Sequence, residues 1–151
     1  GLKLSGGLGT TTTIASGGFL DLNGQNSTAN ISIAGTGNAL NSSAGALINS
    51  SATASTQSGT VTMTAASTVG GTGDITISGI ISGTTAFTKA GSNTLILSGA
   101  NTYSGTKTIS GGILSVATGG TSGTSLSTGT VTLGGGTLLV RSTDRKSDAM
   151  G

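Results

Sequence analysis

The stretch from Phe87 to Val116 reads FTKAGSNTLILSGANTYSGTKTISGGILSV and contains the pattern that decides the fold. It includes two short segments, 95–97 and 114–116, in which two apolar residues flank one middle residue. Successive side chains of a β-strand point to opposite faces, so this alternation is typical of a strand with one buried face. The residues predicted to face a core are Leu95, Leu97, Leu114 and Val116. The residues predicted to face solvent are Thr94, Ile96, Ile113 and Ser115.

The same apolar doublet recurs on both sides of this stretch. Its other members are Leu2/Leu4, Leu20/Leu22, Ile31/Ile33, Val61/Met63, Ile75/Ile77, Val131/Leu133 and Leu138/Val140. No window has the i, i+3, i+4, i+7 spacing of an amphipathic helix, so the pattern predicts an all-β chain. Several steps between doublets are about 14 to 20 residues long, and about 20 residues with two or three short strands is the size of one coil of a parallel β-helix.

We therefore predict a right-handed parallel β-helix, that is a β-solenoid, over residues 1–140, because parallel crossovers are almost always right-handed. Residues 141–151 form a polar tail with the composition of a disordered segment. The alternative is an antiparallel β-sandwich or barrel. The Asn23-Gly24 pair is typical of a type I′ hairpin and keeps that alternative open. The complete lack of Pro and Trp, with Tyr103 as the only tyrosine, argues against it.

Paired glycines precede several doublets and are predicted to form the corners of the coils. The pairs are Gly17-Gly18, Gly111-Gly112 and Gly135-Gly136. A corner needs positive φ and a close approach between coils, and glycine permits both at low cost. Gly111 and Gly112 are therefore predicted to have a structural role.

The composition excludes most catalytic chemistry. The 151 residues include 29 Gly and no His or Cys, and only 7% are charged. Without His or Cys, a Ser–His or Cys–His nucleophile pair and the usual transition-metal sites are excluded. Asp21 and Asp74 are the only carboxylates of the repetitive region, and we interpret both as turn caps or solvated side chains. The sequence thus predicts no catalytic, cofactor-binding or metal-binding residues, no cofactor and no enzymatic activity.

The charges and hydropathy also exclude two classes of partner. Lys3, Lys89, Lys107 and Arg141 are scattered singly and form no stripe that could neutralise phosphates, so nucleic-acid binding is not expected. No apolar run approaches the roughly 18–20 residues of a membrane helix, which predicts no membrane span in this segment.

Phe87–Val116 resembles the passenger-associated repeat of autotransporters, the type V secreted proteins of Gram-negative bacteria. The specific element is Gly-Ala-Asn-Thr-Tyr-Ser-Gly at 99–105, supported by Lys-Ala-Gly at 89–91 and Gly-Gly at 111–112. Two positions depart from the repeat, namely Asn93, where glycine is usual, and Lys107, where threonine is usual. The resemblance covers about a fifth of the chain. It implies a right-handed β-helix, an extracellular or outer-surface location, and no catalytic residues to transfer.

Asn101 and Tyr103 lie in the specific element of this resemblance. We predict that both occupy a turn between strands and that Asn101 bonds to nearby backbone groups, as asparagines in turns do. A tyrosine that contacts a ligand is the alternative for Tyr103.

These observations lead to three functional hypotheses. The first is a structural or adhesive passenger or stalk segment of a secreted bacterial protein. The second is an ice- or surface-binding solenoid with an outward Thr-x-Thr face, formed by Thr10/Thr12, Thr60/Thr62/Thr64, Thr106/Thr108 and Thr130/Thr132. The third and least favoured is a fragment of a β-helix carbohydrate-active enzyme whose acids lie elsewhere.

The terminal coils of a solenoid expose unpaired backbone groups and apolar residues of the bore. The expected partners are therefore neighbouring repeats of a longer chain or copies of the same chain stacked end to end into filaments. A host or matrix surface is the other partner that an adhesive segment would have.

Overall fold

The computed structural model describes residues 1–38, 45–118 and 125–142, which form fifteen strands and no helix. The strands are β1 (Leu2–Lys3), β2 (Thr11–Ile14), β3 (Leu20–Asp21), β4 (Asn30–Gly35), β5 (Leu47–Asn49), β6 (Ser55–Gln57), β7 (Val61–Gly71), β8 (Ile75–Ile77), β9 (Ile81–Ser82), β10 (Phe87–Lys89), β11 (Thr94–Leu97), β12 (Lys107–Ile109), β13 (Ile113–Thr118), β14 (Val131–Leu133) and β15 (Thr137–Ser142).

Every strand pairing in this part of the chain is parallel. The protein is a β-solenoid of about six turns, and the antiparallel sandwich or barrel is wrong. The Asn23-Gly24 pair does form a tight turn, with φ of 50° and 76° and a hydrogen bond from Gln25 N–H to Leu22 C=O at 2.8 Å. This turn makes a corner of the solenoid and not a hairpin, because the strands on either side pair only in parallel.

The strands stack on three faces. Face 1 contains β1, β3, β5, the second half of β7, β10, β12 and β14. Face 2 contains β2, β4, the first half of β7 and β9, and β7 bends from face 2 into face 1 where its register shifts. Face 3 contains β6, β8, β11, β13 and β15. Each coil therefore adds one rung to the faces that it crosses.

The coils around the central stretch have a period of 20 residues. Val69, Lys89 and Ile109 are in register on face 1, so consecutive members are 20 positions apart (89 − 69 and 109 − 89). On face 3, Leu95 is in register with Ile75 below and Leu114 above. In-register stacking of aliphatic side chains gives one continuous core along the bore.

The alternation in β11 and β13 sets the inner and outer sides. The four residues predicted to face inward, Leu95, Leu97, Leu114 and Val116, are all buried in the bore. Ile113 is exposed, and Thr94 and Ile96 are half-buried. The prediction that Ser115 faces solvent is wrong, since it is only 1% exposed. Its small side chain is in register between Ile96 and Leu139, which cover it on the outer side.

The predicted glycine corners have the expected backbone. Gly17, Gly112 and Gly135, one member of each pair, have φ of 83°, 61° and 131°. At the other end of the chain, β15 extends through Arg141 to Ser142, so the solenoid includes the first two residues of the predicted tail. The rest of that tail, 143–151, lies outside the described residues. Within the described ranges, no helix is long and apolar enough to cross a membrane.

Candidate functional site: buried polar residues of the bore

The central coils enclose polar side chains whose burial the sequence pattern did not predict. Lys89 on β10 and Lys107 on β12 are both 0% exposed. Lys89 shares its side of β10 with buried Phe87, and Lys107 shares its side of β12 with buried Ile109. The strand alternation therefore directs both lysines into the bore.

Lys89 is held by a ring of oxygen acceptors. Its Nζ donates to the Ala90 carbonyl at 2.6 Å, to the Gly91 and Gly111 carbonyls at 3.3 Å each, and to Asn93 Oδ1 at 2.9 Å. Desolvation lowers the pKa of Lys89 from 10.5 to about 8, although the Asp74 carboxylate opposes this effect. Hydrogen bonds to neutral acceptors thus only partly replace the hydration that the ammonium loses.

The corner glycine Gly112 makes room for this ring. A Cβ at Gly112 would lie 2.8 Å from Lys89 Nζ and 2.3 Å from the Asn93 carbonyl oxygen, and its φ is positive. Asn93 is in turn fixed to the coil below, because its Nδ2 donates to the Gly73 carbonyl at 2.8 Å. The predicted structural role of Gly112 therefore has a steric cause, which is close packing against the lysine site.

Lys107 lies beside the two aromatic rings of the bore. Its Nζ is 4.4 Å from the centroid of the Tyr103 ring, a cation–π contact, and donates to the Gly105 carbonyl at 3.0 Å and to the Thr128 carbonyl. The Tyr103 and Phe87 rings are 5.7 Å apart at a tilt of 50°. Burial lowers the pKa of Lys107 and raises the pKa of Tyr103.

Tyr103 lies in the segment between β11 and β12, where the sequence analysis placed a turn. The flanking residues Thr102 and Ser104 donate backbone hydrogen bonds to Ile81 at 2.9 Å and Gly83 at 3.0 Å, which continues the ladder of face 2 past β9. The Tyr103 side chain points into the bore and is 0% exposed. In the described part of the chain, its hydroxyl has no hydrogen-bond partner. A ligand outside the solenoid cannot reach this side chain.

Asn101 binds backbone groups, as predicted, but they belong to other coils. Its Oδ1 accepts from Ile81 N–H at 2.8 Å, and its Nδ2 donates to the Ser125 carbonyl at 2.6 Å. Ile81 lies 20 residues before Asn101 and Ser125 lies 24 residues after it. One buried amide therefore connects three successive coils.

The two carboxylates of the repetitive region act as caps. Asp21 accepts from Asn23 N–H at 2.9 Å, Ser50 N–H at 3.0 Å and Ser50 Oγ at 2.6 Å. Asp74 accepts from Thr94 N–H at 2.8 Å. These bonds agree with the interpretation of both residues as turn caps. The described residues contain no group of three or more His, Cys, Asp or Glu side chains that could hold a metal ion.

The proposed Thr-x-Thr surface is divided between faces. Thr106/Thr108 and Thr130/Thr132 lie on face 1, where the in-register column is Thr68, Thr88, Thr108 and Thr132. Thr60/Thr62/Thr64 is exposed on the part of the chain that forms face 2. The outward prediction for Thr10/Thr12 is wrong for Thr12, which is in register with the bore residue Ile31. The threonines therefore do not form one surface.

These contacts lie within the segment that a known family describes. Residues 87–116 match the family model of the passenger-associated-transport-repeat. The passenger repeat spans β10, β11, β12 and most of β13 and is part of a β-solenoid, as expected of an autotransporter passenger. Both departures from the usual repeat are in the polar bore, since Asn93 binds Lys89 and Lys107 contacts Tyr103. No match was found among curated proteins or among solved structures.

A passenger repeat in a β-solenoid fits a passenger-type structural segment and implies a secreted or surface location. The structure places all eight predicted structural residues in or beside the bore of this repeat. They include Asn101 and Tyr103, which contact neighbouring coils and not only residues close to them in the sequence.

Proposed function

We propose that the chain is a rigid stalk segment of a secreted, surface-exposed bacterial passenger. It holds adhesive contacts away from the cell, contributes a repetitive polar surface to them, and performs no catalysis. The observation that carries this proposal is the unbroken column of seven parallel strands on face 1, together with the passenger repeat inside it.

The column supplies rigidity because each coil is bonded to the next along the whole described length. Adjacent rungs of a sheet are about 4.8 Å apart, so the six intervals from β1 to β14 span about 29 Å. Side chains add further bonds between coils at the corners, such as Asn49 Nδ2 to the Asp74 carbonyl at 3.0 Å and Asn101 Nδ2 to the Ser125 carbonyl at 2.6 Å. Bending such a column would break several of these bonds together.

The chemistry of the side chains supports a non-catalytic role. Both carboxylate oxygens of Asp21 accept hydrogen bonds from Ser50, and Asp74 accepts a backbone hydrogen bond. Lys89 and Lys107 are enclosed in the bore and cannot reach a substrate. Asp21, Asp74, Lys89 and Lys107 are therefore already engaged in bonds that hold the coils together.

Spin-label distances test the stalk directly, because the chain has no cysteine and accepts labels at chosen sites. Lys3→Cys and Thr132→Cys place labels on exposed outward positions of the first and last strands of face 1. Pulsed electron spin resonance should give one narrow distance distribution near the calculated span of about 29 Å, allowing for the label linkers. A broad distribution like that of the urea-unfolded chain would contradict a rigid stalk.

Adhesion is tested separately with beads that carry the folded chain. Such beads should be retained on matrix proteins or host cells more strongly than beads that carry the same chain after irreversible unfolding. Equal retention would remove the adhesive part of the proposal and leave the stalk to be judged by the distance measurement.

The threonine column supports binding to an ordered surface as a second candidate function. Thr88, Thr108 and Thr132 are in register on face 1 at the rung spacing of about 4.8 Å, whereas Thr68 below them is buried and cannot contribute. Thermal hysteresis in the folded chain, lost in the double variant Thr88→Leu/Thr108→Leu, would favour this function. Ice growth that is unaffected by the folded chain would exclude ice as the surface.

A further inference from the structure

Asn23-Gly24 is the only Asn-Gly pair in the chain, and it has a chemical reactivity that its role as a corner does not use. In such a pair the backbone nitrogen of the glycine can attack Cγ of the asparagine side chain. Glycine has no side chain that shields its nitrogen, and its backbone adopts the angles that the attack needs at little cost. A covalent change at this corner is therefore open to the chain without an enzyme.

We propose that Asn23 is a self-modification site that reacts while the chain is unfolded and is protected by the stacking of coils. The Gly24 nitrogen bonds to Asn23 Cγ, and the bond between Cγ and Nδ2 breaks. The side-chain nitrogen takes up the proton of the Gly24 N–H and leaves as ammonia. Water then opens the succinimide ring at either carbonyl, which gives aspartate or isoaspartate at position 23. Nothing is oxidised or reduced, and the proposal does not depend on what the solenoid binds.

In the folded chain the two reacting groups are held toward different neighbouring coils. Asn23 Nδ2 donates to the Leu4 carbonyl at 2.9 Å, 19 residues earlier in the chain. Gly24 N–H donates to Asn49 Oδ1 at 3.0 Å, 25 residues later in the chain. Ring closure requires the Gly24 nitrogen and Asn23 Cγ to turn toward each other. Both hydrogen bonds therefore have to break before the reaction can begin.

Asn49 is the side chain that holds the attacking nitrogen in place. It is 0% exposed, and its Oδ1 also accepts from Ser51 N–H at 3.1 Å. Its Nδ2 donates to the Thr53 carbonyl at 2.8 Å and to the Asp74 carbonyl at 3.0 Å. Because both ends of the amide are bonded, Asn49 cannot release Gly24 without breaking its other bonds as well. The protection thus depends on the contact between coils and not on the corner alone.

The product does not fit the corner from which it comes. A carboxylate at position 23 has no hydrogen to donate to the Leu4 carbonyl. It would also lie two residues from the Asp21 carboxylate, which accepts from Asn23 N–H at 2.9 Å. The isoaspartate form lengthens the backbone and would displace the hydrogen bond from Gln25 N–H to Leu22 C=O. A chain that stays unfolded for long therefore acquires a permanent change that weakens this corner.

Peptide mapping by mass spectrometry on the full chain measures aspartate and isoaspartate at position 23. Folded protein and protein unfolded in urea are incubated at the same pH and temperature. We expect the folded chain to react at least about tenfold more slowly, the factor that two hydrogen bonds of ordinary net strength supply together. Among the asparagines of the unfolded chain, Asn23 should react first. Equal rates in the two states, or a faster reaction at another asparagine of the unfolded chain, would overturn the proposal.

Asn49→Ala tests the protection itself, and Asn101→Ala is the matched control. Both variants remove a buried amide that bonds backbone groups of two neighbouring coils, but the bonds of Asn101 do not involve the corner. In folded protein, Asn49→Ala should speed the reaction at Asn23 and Asn101→Ala should not. Equal rates in the two folded variants would contradict the role of Asn49. If Asn49→Ala does not fold, hydrogen exchange at Gly24 N–H of the wild type decides, and exchange as fast as in the unfolded chain refutes the protection.

Asn23→Asp reproduces the charge of the product and tests its effect on the fold. Its urea midpoint should be lower than that of the wild type. Asn26→Asp is the matched control, because it adds the same charge nearby and its carboxylate can still accept from Thr56 N–H, as Asn26 Oδ1 does at 2.8 Å. Equal midpoints for the two variants would refute the conclusion that the modification weakens the corner.

Discussion

Burial of Lys89 should make the solenoid more stable in alkaline solution than at neutral pH. Its pKa is about 8 in the folded chain, and its ordinary value of 10.5 applies to the unfolded chain. Between these two values the unfolded state binds more protons than the folded state. The free energy of unfolding therefore rises with pH in this window.

The size of the effect follows from the two pKa values. Each pH unit inside the window contributes at most about 1.4 kcal/mol, so the step from pH 8 to pH 10 should raise the free energy of unfolding by about 2 kcal/mol. Lys107 acts in the same direction, because burial also lowers its pKa. Tyr103 acts in the opposite direction, since its raised pKa favours the protonated folded state and removes stability above the ordinary value of 10. The stability should therefore reach its maximum near pH 10.

Urea unfolding followed by far-UV circular dichroism at pH 7, 8, 9, 10 and 11 measures this profile. Lys89→Met should flatten most of the rise between pH 8 and pH 10, and Tyr103→Phe should reduce the fall above pH 10 while leaving the rise in place. The lysine pKa itself is measured by carbon-13 NMR of labelled lysine. A free energy of unfolding that is constant or falls from pH 8 to pH 10, or an ordinary pKa for Lys89, would refute the reasoning.

Three substitutions, two of them with a control substitution, test the packing of the bore and the contacts between coils by the same urea assay. Leu97→Ala should cost about 2–5 kcal/mol and Ile96→Ala less than about 1.5, because only Leu97 is fully buried, and equal losses would contradict the assigned register. Gly79→Ala should cost about 3 kcal/mol or more, since its Cβ would lie 2.0 Å from a carbonyl oxygen of the preceding coil, whereas Gly6→Ala should be nearly neutral because no atom lies within 4 Å of the added Cβ. Asn101→Ala should cost about 2 kcal/mol by leaving two buried backbone groups unpaired, and an unchanged midpoint would mean that the bonds between coils contribute no net stability.

Period-two alternation predicted the fold because a solenoid repeats one local rule in every coil. The doublets identified the inward residues of β11 and β13, and the glycine pairs identified corners with positive φ. The outward position Ser115 shows where the rule fails. Its burial depends on Ile96 and Leu139 in the coils on either side, and one strand read alone contains no information about its neighbours.

The same alternation could have located the buried lysines. Lys89 follows the bore residue Phe87 by two positions, and Lys107 precedes the bore residue Ile109 by two. Their burial was nevertheless not predicted, because lysine is almost never fully buried unless it is paired. Three of the acceptors that make this burial possible lie within four residues of Lys89, and the fourth, the Gly111 carbonyl 22 residues away, is brought near only by the stacking of coils.

A solenoid built from similar coils has to select one pairing register among several. The buried polar residues supply the difference in stability between the native register and a slipped one. Along the face 1 column, Leu47, Val69 and Ile109 are alike enough that a slip by one coil would cost little in apolar packing. Lys89 is not interchangeable with them, because its ammonium is solvated by a set of acceptors that includes Asn93. A slip of 20 residues would carry Asn93 along with Lys89, since the two lie in the same coil, but it would break the bond from Lys89 Nζ to the Gly111 carbonyl of the next coil. At neutral pH the buried charge lowers the stability of the native stack. It lowers the stability of a slipped stack more, so the same charge also favours the native register.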